Sequence, residues 1–159
     1  MRVRVVRASR SDLPEVLRLV ERLLEELADE TDEFAGLDRA RTLSDLERER
    51  QANGFVALLA LDDAGAAAGV LTLTETFAIY AGGRYGVIDE LYVEPAMRSA
   101  GIGRLLLEEA LAVARERGWR RLDVTAPPGP AWSRTVAFYE ANGFVFTGPK
   151  LRRALPDGI

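Results

Sequence analysis

The chain has 159 residues, 48% hydrophobic and 29% charged, with no histidine and no cysteine. That is the composition of an ordinary soluble globular protein, with residues 1–159 expected to form one domain. It excludes an imidazole base, a His-ligated metal, an acyl-cysteine relay and a disulfide framework. With 21 basic against 25 acidic residues the net charge is −4, which argues against a nucleic-acid partner. There is neither a cleavable apolar leader nor an apolar run of about 18 residues, so no membrane association and a cytoplasmic location are expected.

Val3 to Arg7 alternates as a first strand. Ser11 or Asp12 is placed to cap a helix whose apolar positions are Leu13, Val16, Leu17, Val20, Leu23, Leu24 and Leu27. At its end Glu25, Glu26, Asp29, Glu30, Asp32 and Glu33 form an acidic run, either a solvated helix end or a rim for a cationic ligand. A more polar helix spans Asp38 to Gln51 and stops before Asn53-Gly54. Phe55 to Leu61 is a buried strand that turns at Asp62 to Gly65 and pairs with Gly69 to Thr76 as a hairpin. The turn Ala81-Gly82-Gly83 then leads into a strand at Gly86 to Val93.

Where that strand hands over to an amphipathic helix, Arg98 to Gly103 read Arg-Ser-Ala-Gly-Ile-Gly. The helix runs from Arg104 through Arg117, with Leu105, Leu106, Ala110, Val113 and Ala114 spaced for one face. A strand, a glycine-bearing turn and a helix N-terminus gather free backbone N–H groups and the positive end of the helix dipole at one point. Such a turn suits a phosphate or pyrophosphate. It is not a Walker loop, because Arg104-Leu105 stand where Lys and Ser or Thr are needed. Nor is it a dinucleotide fingerprint, because Leu106 occupies the third small position. Gly118 ends the helix, Arg121 to Thr125 forms a strand, and Pro127 to Pro130 break the chain. A helix follows, Gly143 stands just past its end, and Phe144 to Thr147 is expected to open the last strand.

Arg98-x-x-Gly101-x-Gly103 is similar to the acyl-coenzyme-A pyrophosphate loop of the GNAT superfamily of N-acetyltransferases, whose pattern is Gln/Arg-x-x-Gly-x-Gly/Ala. The segment Thr135-Val136-Ala137-Phe138-Tyr139-Glu140-Ala141-Asn142-Gly143-Phe144 resembles the C-terminal helix of that superfamily, with its Phe-Tyr pair and closing Gly-Phe. The two lie in the family order about 40 residues apart, and the pattern of elements before them also matches. The chain is therefore identified as a member over nearly its whole length. The resemblance implies an α/β fold, with a central mixed, mostly antiparallel sheet flanked by helices on both faces.

It further implies transfer of an acetyl group from acetyl-CoA, a co-substrate, to a primary amine by direct attack in a ternary complex, with no metal. Tyr139 holds the family position of the leaving-group proton donor. The base is expected among Asp89, Glu90 and water, with Asp89 ranked first because it aligns with the carboxylate that some family members use. Adjacent strand residues face opposite sides, so only one of the two carboxylates is expected to face the acetyl group. Asp89 would share its side with Leu91 and Val93, and Glu90 with Ile88 and Tyr92. The strand is expected to splay from its successor, freeing backbone groups of Leu91, Tyr92 and Val93 for the pantetheine arm. A backbone N–H near Leu91 or Tyr92 would hold the thioester oxygen. Arg98, Ser99, Ala100, Gly101, Ile102, Gly103 and Arg104 would cradle the pyrophosphate.

Two positions depart from the family pattern. Ser99 stands where a glycine is usual, and Trp132 stands where an Asn usually reaches the pantetheine region. Tyr80, Tyr85, Phe77 and Trp132 are candidates to line the acceptor site, and the acidic run would favour a cationic acceptor. A homodimer is an expectation from the family. The alternative function is a non-catalytic acyl-CoA-binding regulatory domain on the same fold.

Overall fold

Short turns connect the middle strands, so they pair antiparallel, and only the last strand, reached through a helical crossover, is parallel. In the computed structural model the sheet order is β1 (Arg4–Arg7), β2 (Phe55–Leu61), β3 (Ala67–Ala78), β4 (Gly83–Val93) and β5 (Leu122–Val124). β1 to β4 are antiparallel neighbours, and β5 runs parallel to β4 after the crossover helix α3 (Ile102–Glu116). The mixed, mostly antiparallel sheet is thus the one expected. The structure describes residues 1–28, 37–127 and 129–155. Of the acidic run, Asp29, Glu30, Asp32 and Glu33 lie outside the described residues. The chain divides into two compact units, Met1–Val124 with the sheet, and Thr125–Ile159.

In the first unit the two faces of the sheet are covered differently. α1 (Leu13–Ala28) begins after a short turn in which the Asp12 carboxylate accepts from the Ser9 amide at 2.8 Å and the Ser9 hydroxyl at 2.9 Å. Its residues Leu13, Val16, Leu19 and Val20 pack on Phe55, Ala57 and Leu59 of β2, Val70 of β3 and Tyr92 of β4. Leu19, absent from the apolar positions read in sequence, is 0% exposed and widens the buried stripe. α2 (Arg39–Gln51) starts at Asp38, whose side chain accepts from the Arg41 amide, and adds Leu43 and Leu46 to the same cluster.

On the opposite face α3 buries Ile102, Leu106, Leu107, Ala110, Val113 and Ala114. Leu105, assigned to this face by spacing, is instead 38% exposed, because a stripe through Ile102, Leu106, Ala110 and Val113 turns it outward. Contact is close. A Cβ on Gly69 would stand 3.2 Å from Leu106 and 3.3 Å from Ile102. One on Gly86 would stand 2.3 Å from the Trp119 ring. Arg7 of β1 ties the sheet edge to α3 through Glu109 at 2.8 Å and Glu116 at 2.6 Å.

In the second unit, α4 (Ser133–Ala141) ends as the Phe144 amide donates to the Tyr139 carbonyl at 3.0 Å. The strand expected at Phe144 to Thr147 is not formed. Among the described residues the backbone there has no ladder partner, and Val145 and Phe146 are 80% and 81% exposed. Apolar β-formers make a strand only where a neighbour offers an edge.

Candidate active site

A slip in strand register decides the geometry around the β4 carboxylates. β3 and β4 stay in register from Gly83 to Ile88 and again from Glu90 to Val93, with Asp89 as the extra residue of a bulge where the register shifts between Thr72 and Leu73. This bulge cancels the alternation that would send Asp89 and Glu90 to opposite faces. Thr74 pairs with Phe55, and Thr72 with Ala57, so both threonines lie on the α1 side. The Thr74 hydroxyl donates to Asp89 Oδ2 at 2.7 Å. The Thr72 hydroxyl donates to Glu90 Oε2 and accepts the Glu90 N–H at 3.1 Å. Both carboxylates therefore face α1, in place of the expected one. Their companions differ from expectation too: Glu90 shares its side with Tyr92 but not with Ile88, which pairs with Leu73 on the α3 side.

The two acids are not equivalent. Asp89 is exposed, whereas Glu90 is half-buried. Burial pushes the Glu90 carboxyl above the ordinary glutamate range, the Asp89 charge adds to the rise, and the Thr72 hydrogen bond partly offsets it. A carboxylate with a raised pKa beside a cavity has the character of a general base or acid. The cavity is there. It holds about 410 Å³ between α1, α2 and strands β2 to β4, with Thr72, Thr74, Asp89 and Glu90 among its lining. A second hollow of about 490 Å³, bordered by Arg10, Pro14, Leu43 and Glu47, contains none of the candidate catalytic or cofactor-binding residues.

Beyond the bulge, β4 leaves β5. Their pairing covers only Gly86 to Ile88, so the β4 edge is unpaired with β5 from Asp89 onward. The amides of Glu90 and Glu94 turn toward β3, where they meet the Thr72 hydroxyl and the Ala68 carbonyl. Alternation then turns the amides of Leu91 and Val93 to the open edge. The ladder with β5 thus ends at Ile88, and alternation points the Leu91 N–H, rather than that of Tyr92, away from β3. The Tyr92 side chain is buried in the α1-side core.

The following turn carries Ser99 at φ 66° and Gly101 at φ 81°, both left-handed. This explains the usual glycine at position 99, since a side chain in that conformation costs about 1–2 kcal/mol. Gly101 is the N-cap of α3 and supplies no side-chain cap, leaving the first amides of the helix to a ligand. Ser99, Ala100, Gly101 and Arg104 are exposed, Gly103 is half-buried, and Ile102 is an anchor in the core. The arginines are engaged elsewhere. Arg98 donates to the Val93 carbonyl at 2.9 Å and to Glu26 at 2.6 Å, lying over the Tyr92 ring, while Arg104 pairs with Glu108 at 3.0 Å. The turn's fit to a pyrophosphate thus rests on main-chain donors.

In the second unit Tyr139 is buried between Phe138 and Phe144, each ring 5.3 Å away, and burial pushes its hydroxyl up to about 12. Phe77 and Tyr80 are 63% and 79% exposed, Tyr85 is buried under Arg121, and none of the three lines the cavity. Trp132 belongs to the second unit. Thr72 and Thr74 escaped the sequence reading. Their signal was two hydroxyl side chains alternating with Leu71 and Leu73. Among the described residues no group of three or more acidic side chains could hold a metal ion, and no helix is long and apolar enough to cross a membrane.

Residues 19–144 match the model of the acetyltransferase (GNAT) family. No curated protein matches the chain. Among solved structures, an acetyltransferase of Trypanosoma brucei is 22% identical with a TM-score of 0.73, the match covering 97% of this chain and 100% of that one. An aminoglycoside acetyltransferase from an uncultured soil metagenomic sample is 21% identical with a TM-score of 0.81, over 98% and 100%. A predicted acetyltransferase of Clostridium acetobutylicum, solved with acetyl-CoA, is 18% identical with a TM-score of 0.77, over 96% of each chain.

Proposed function

Since the chain belongs to the acetyltransferase (GNAT) family, we propose that it transfers an acetyl group from acetyl-CoA to a primary amine, with Glu90 as the base. The observation that carries this reading is the bulge at Asp89. It sets a half-buried carboxylate of raised pKa at the cavity, beside the strand edge that β5 leaves open. The pantetheine arm would lie along the edge of Leu91 to Val93. The pyrophosphate would take the amides of Ser99 to Arg104, an arrangement supported by the uncapped start of α3.

The chemistry follows from these roles. An ammonium cannot attack, so the acceptor first gives a proton to Glu90, directly or through a water held near Asp89. The neutral nitrogen attacks the thioester carbon, the C–N bond forms, and the Leu91 N–H stabilises the charge gathering on oxygen. The C–S bond breaks, the sulfur takes a proton from a donor, and the second proton, which leaves the nitrogen as the amide forms, restores that donor by way of solvent. Tyr139 is the donor implied by its position in the family motif, and its buried hydroxyl keeps its proton at neutral pH.

Calorimetric binding of acetyl-CoA, ATP and NAD, followed by free-thiol release with a panel of primary amines, tests the reading. Selective acetyl-CoA binding with amine-dependent thiol release is expected. Tyr139→Phe should then lower kcat more than it weakens acetyl-CoA binding. Selective binding with no release from any amine would favour a regulatory acyl-CoA sensor, and preference for ATP or NAD would refute the assignment.

A further inference from the structure

The cavity also constrains the acceptor. Its apolar lining includes Val16, Leu17, Val20 and Leu24 from α1, Leu46 from α2 and Phe55 from β2, and Thr42 of α2 adds a hydroxyl. Among the described residues no basic side chain lines it. Two carboxylates of α2, Asp45 and Glu49, border it besides the β4 pair. They differ. Asp45 is neutralised by Arg48 at 2.5 Å and approached by Arg41 at 3.9 Å. Glu49 has no ion pair among the described residues, although it shares its helix with several arginines. Arg39 turns to Glu21, and Arg50 to Glu47.

The carboxylate left without a cation is also held over the start of β2. A Cβ on Gly54 would stand 3.3 Å from Glu49 Oε2. The next residue, Phe55, pairs with Thr74, and Thr74 holds Asp89. Glu49 therefore lies over β2, two strands across from β4, about 10 Å at the usual strand spacing, and Glu90 stands further along the strands in the row of Ala57 and Thr72.

We propose that the acceptor is a primary amine on an apolar body with a second cationic group at its far end. The reacting nitrogen lies at Glu90 and the second charge at Glu49. The inference rests on the acetyltransferase reading above. A polyhydroxylated amine is a poor fit. The Thr72 and Thr74 hydroxyls are already donated to Glu90 and Asp89, and the aliphatic side chains that α1 sets along the cavity offer no partners. Sugar hydroxyls placed against them would lose water without compensation.

The test measures kcat/KM with acetyl-CoA for cadaverine, its shorter and longer homologues, pentylamine and kanamycin, on the full chain and on Glu49→Gln. Calorimetric binding of the same amines runs beside it. The best diamine should exceed pentylamine by about fivefold, in keeping with one ion pair of roughly 1 kcal/mol, and kanamycin should trail both. In Glu49→Gln the ratio of diamine to monoamine should fall toward one. Preference for kanamycin, or a ratio unchanged by Glu49→Gln, would overturn the inference and leave the transferase reading intact. Selective diamine binding without turnover of any amine would uphold the cavity assignment and overturn the transferase reading instead.

Discussion

The two faces of the sheet are both covered by helices but are built to different ends. Under α3 the contact is close, with Leu106 and Ala110 fully buried and Gly69 and Gly86 cleared of side chains so that Ile102, Leu106 and Trp119 can approach the strands. Under α1 and α2 the packing opens into a cavity, two threonines replace aliphatic side chains on β3, and a bulge turns two carboxylates inward. One face holds the sheet together. The other accepts polar groups and empty space, which cost stability, and gains a place for chemistry.

The sharpest way to break this contrast is Glu90→Gln. The expected loss in kcat/KM at neutral pH is about 10²–10⁴-fold, the usual worth of a positioned base. The wild-type acid limb, displaced upward by the raised Glu90 pKa, should vanish with it. Stability should move the opposite way. Below its unfolded pKa Glu90 is protonated in both states and costs nothing. As pH rises through its raised folded value, ionisation in a buried setting withdraws stability. Glu90→Gln removes that loss, so its melting temperature should exceed wild type at neutral pH and converge with it at low pH.

On the closed face, Gly86→Ala forces a methyl into the Trp119 ring and should cost about 1–3 kcal/mol. That is a fall of several degrees by thermal denaturation, with the acid limb of any surviving activity unmoved. Thr72→Val sharpens the comparison at the polar face. Losing the donor that favours the ionised Glu90 should push the acid limb to still higher pH and lower kcat/KM at neutral pH by roughly tenfold. Thr72→Ser should restore both, and an unmoved limb would show that Thr72 only fills space. The smallest effect is expected at the turn. Ser99→Gly relieves a left-handed serine and should raise stability by less than about 1 kcal/mol, because glycine also loosens the unfolded chain.

How far these features were legible in sequence depends on whether local pattern or pairing decides them. The turn and its helix could be read, because Gly101 and the apolar spacing of α3 act within a few residues. The hairpin and the polar second helix were legible for the same reason. The orientation of Asp89 was not. Strict alternation applies only while both strands advance in step, and the slip opposite Thr72 is a property of the pair. The strand expected at Phe144 to Thr147 failed for a related reason, since its composition fits a sheet but no neighbour supplies the ladder. Leu19 and Leu105 show a smaller error, in which a stripe of correct period is drawn a residue too narrow or rotated too far.

The bulge has a consequence for how this strand can vary. Val87 on one side of Asp89 and Glu90 on the other pair with Thr74 and Thr72, which share a face, and Ile88 and Leu91 pair with Leu73 and Leu71 on the opposite one. Deleting Asp89 alone would therefore leave every remaining side chain of β4 pointing where it does now. The residue behaves as a silent insertion with respect to the core. A single codon gained or lost there adds or removes the second carboxylate without reassigning any hydrophobic contact, so this family of sequences can change the acidity of its cavity while keeping its sheet.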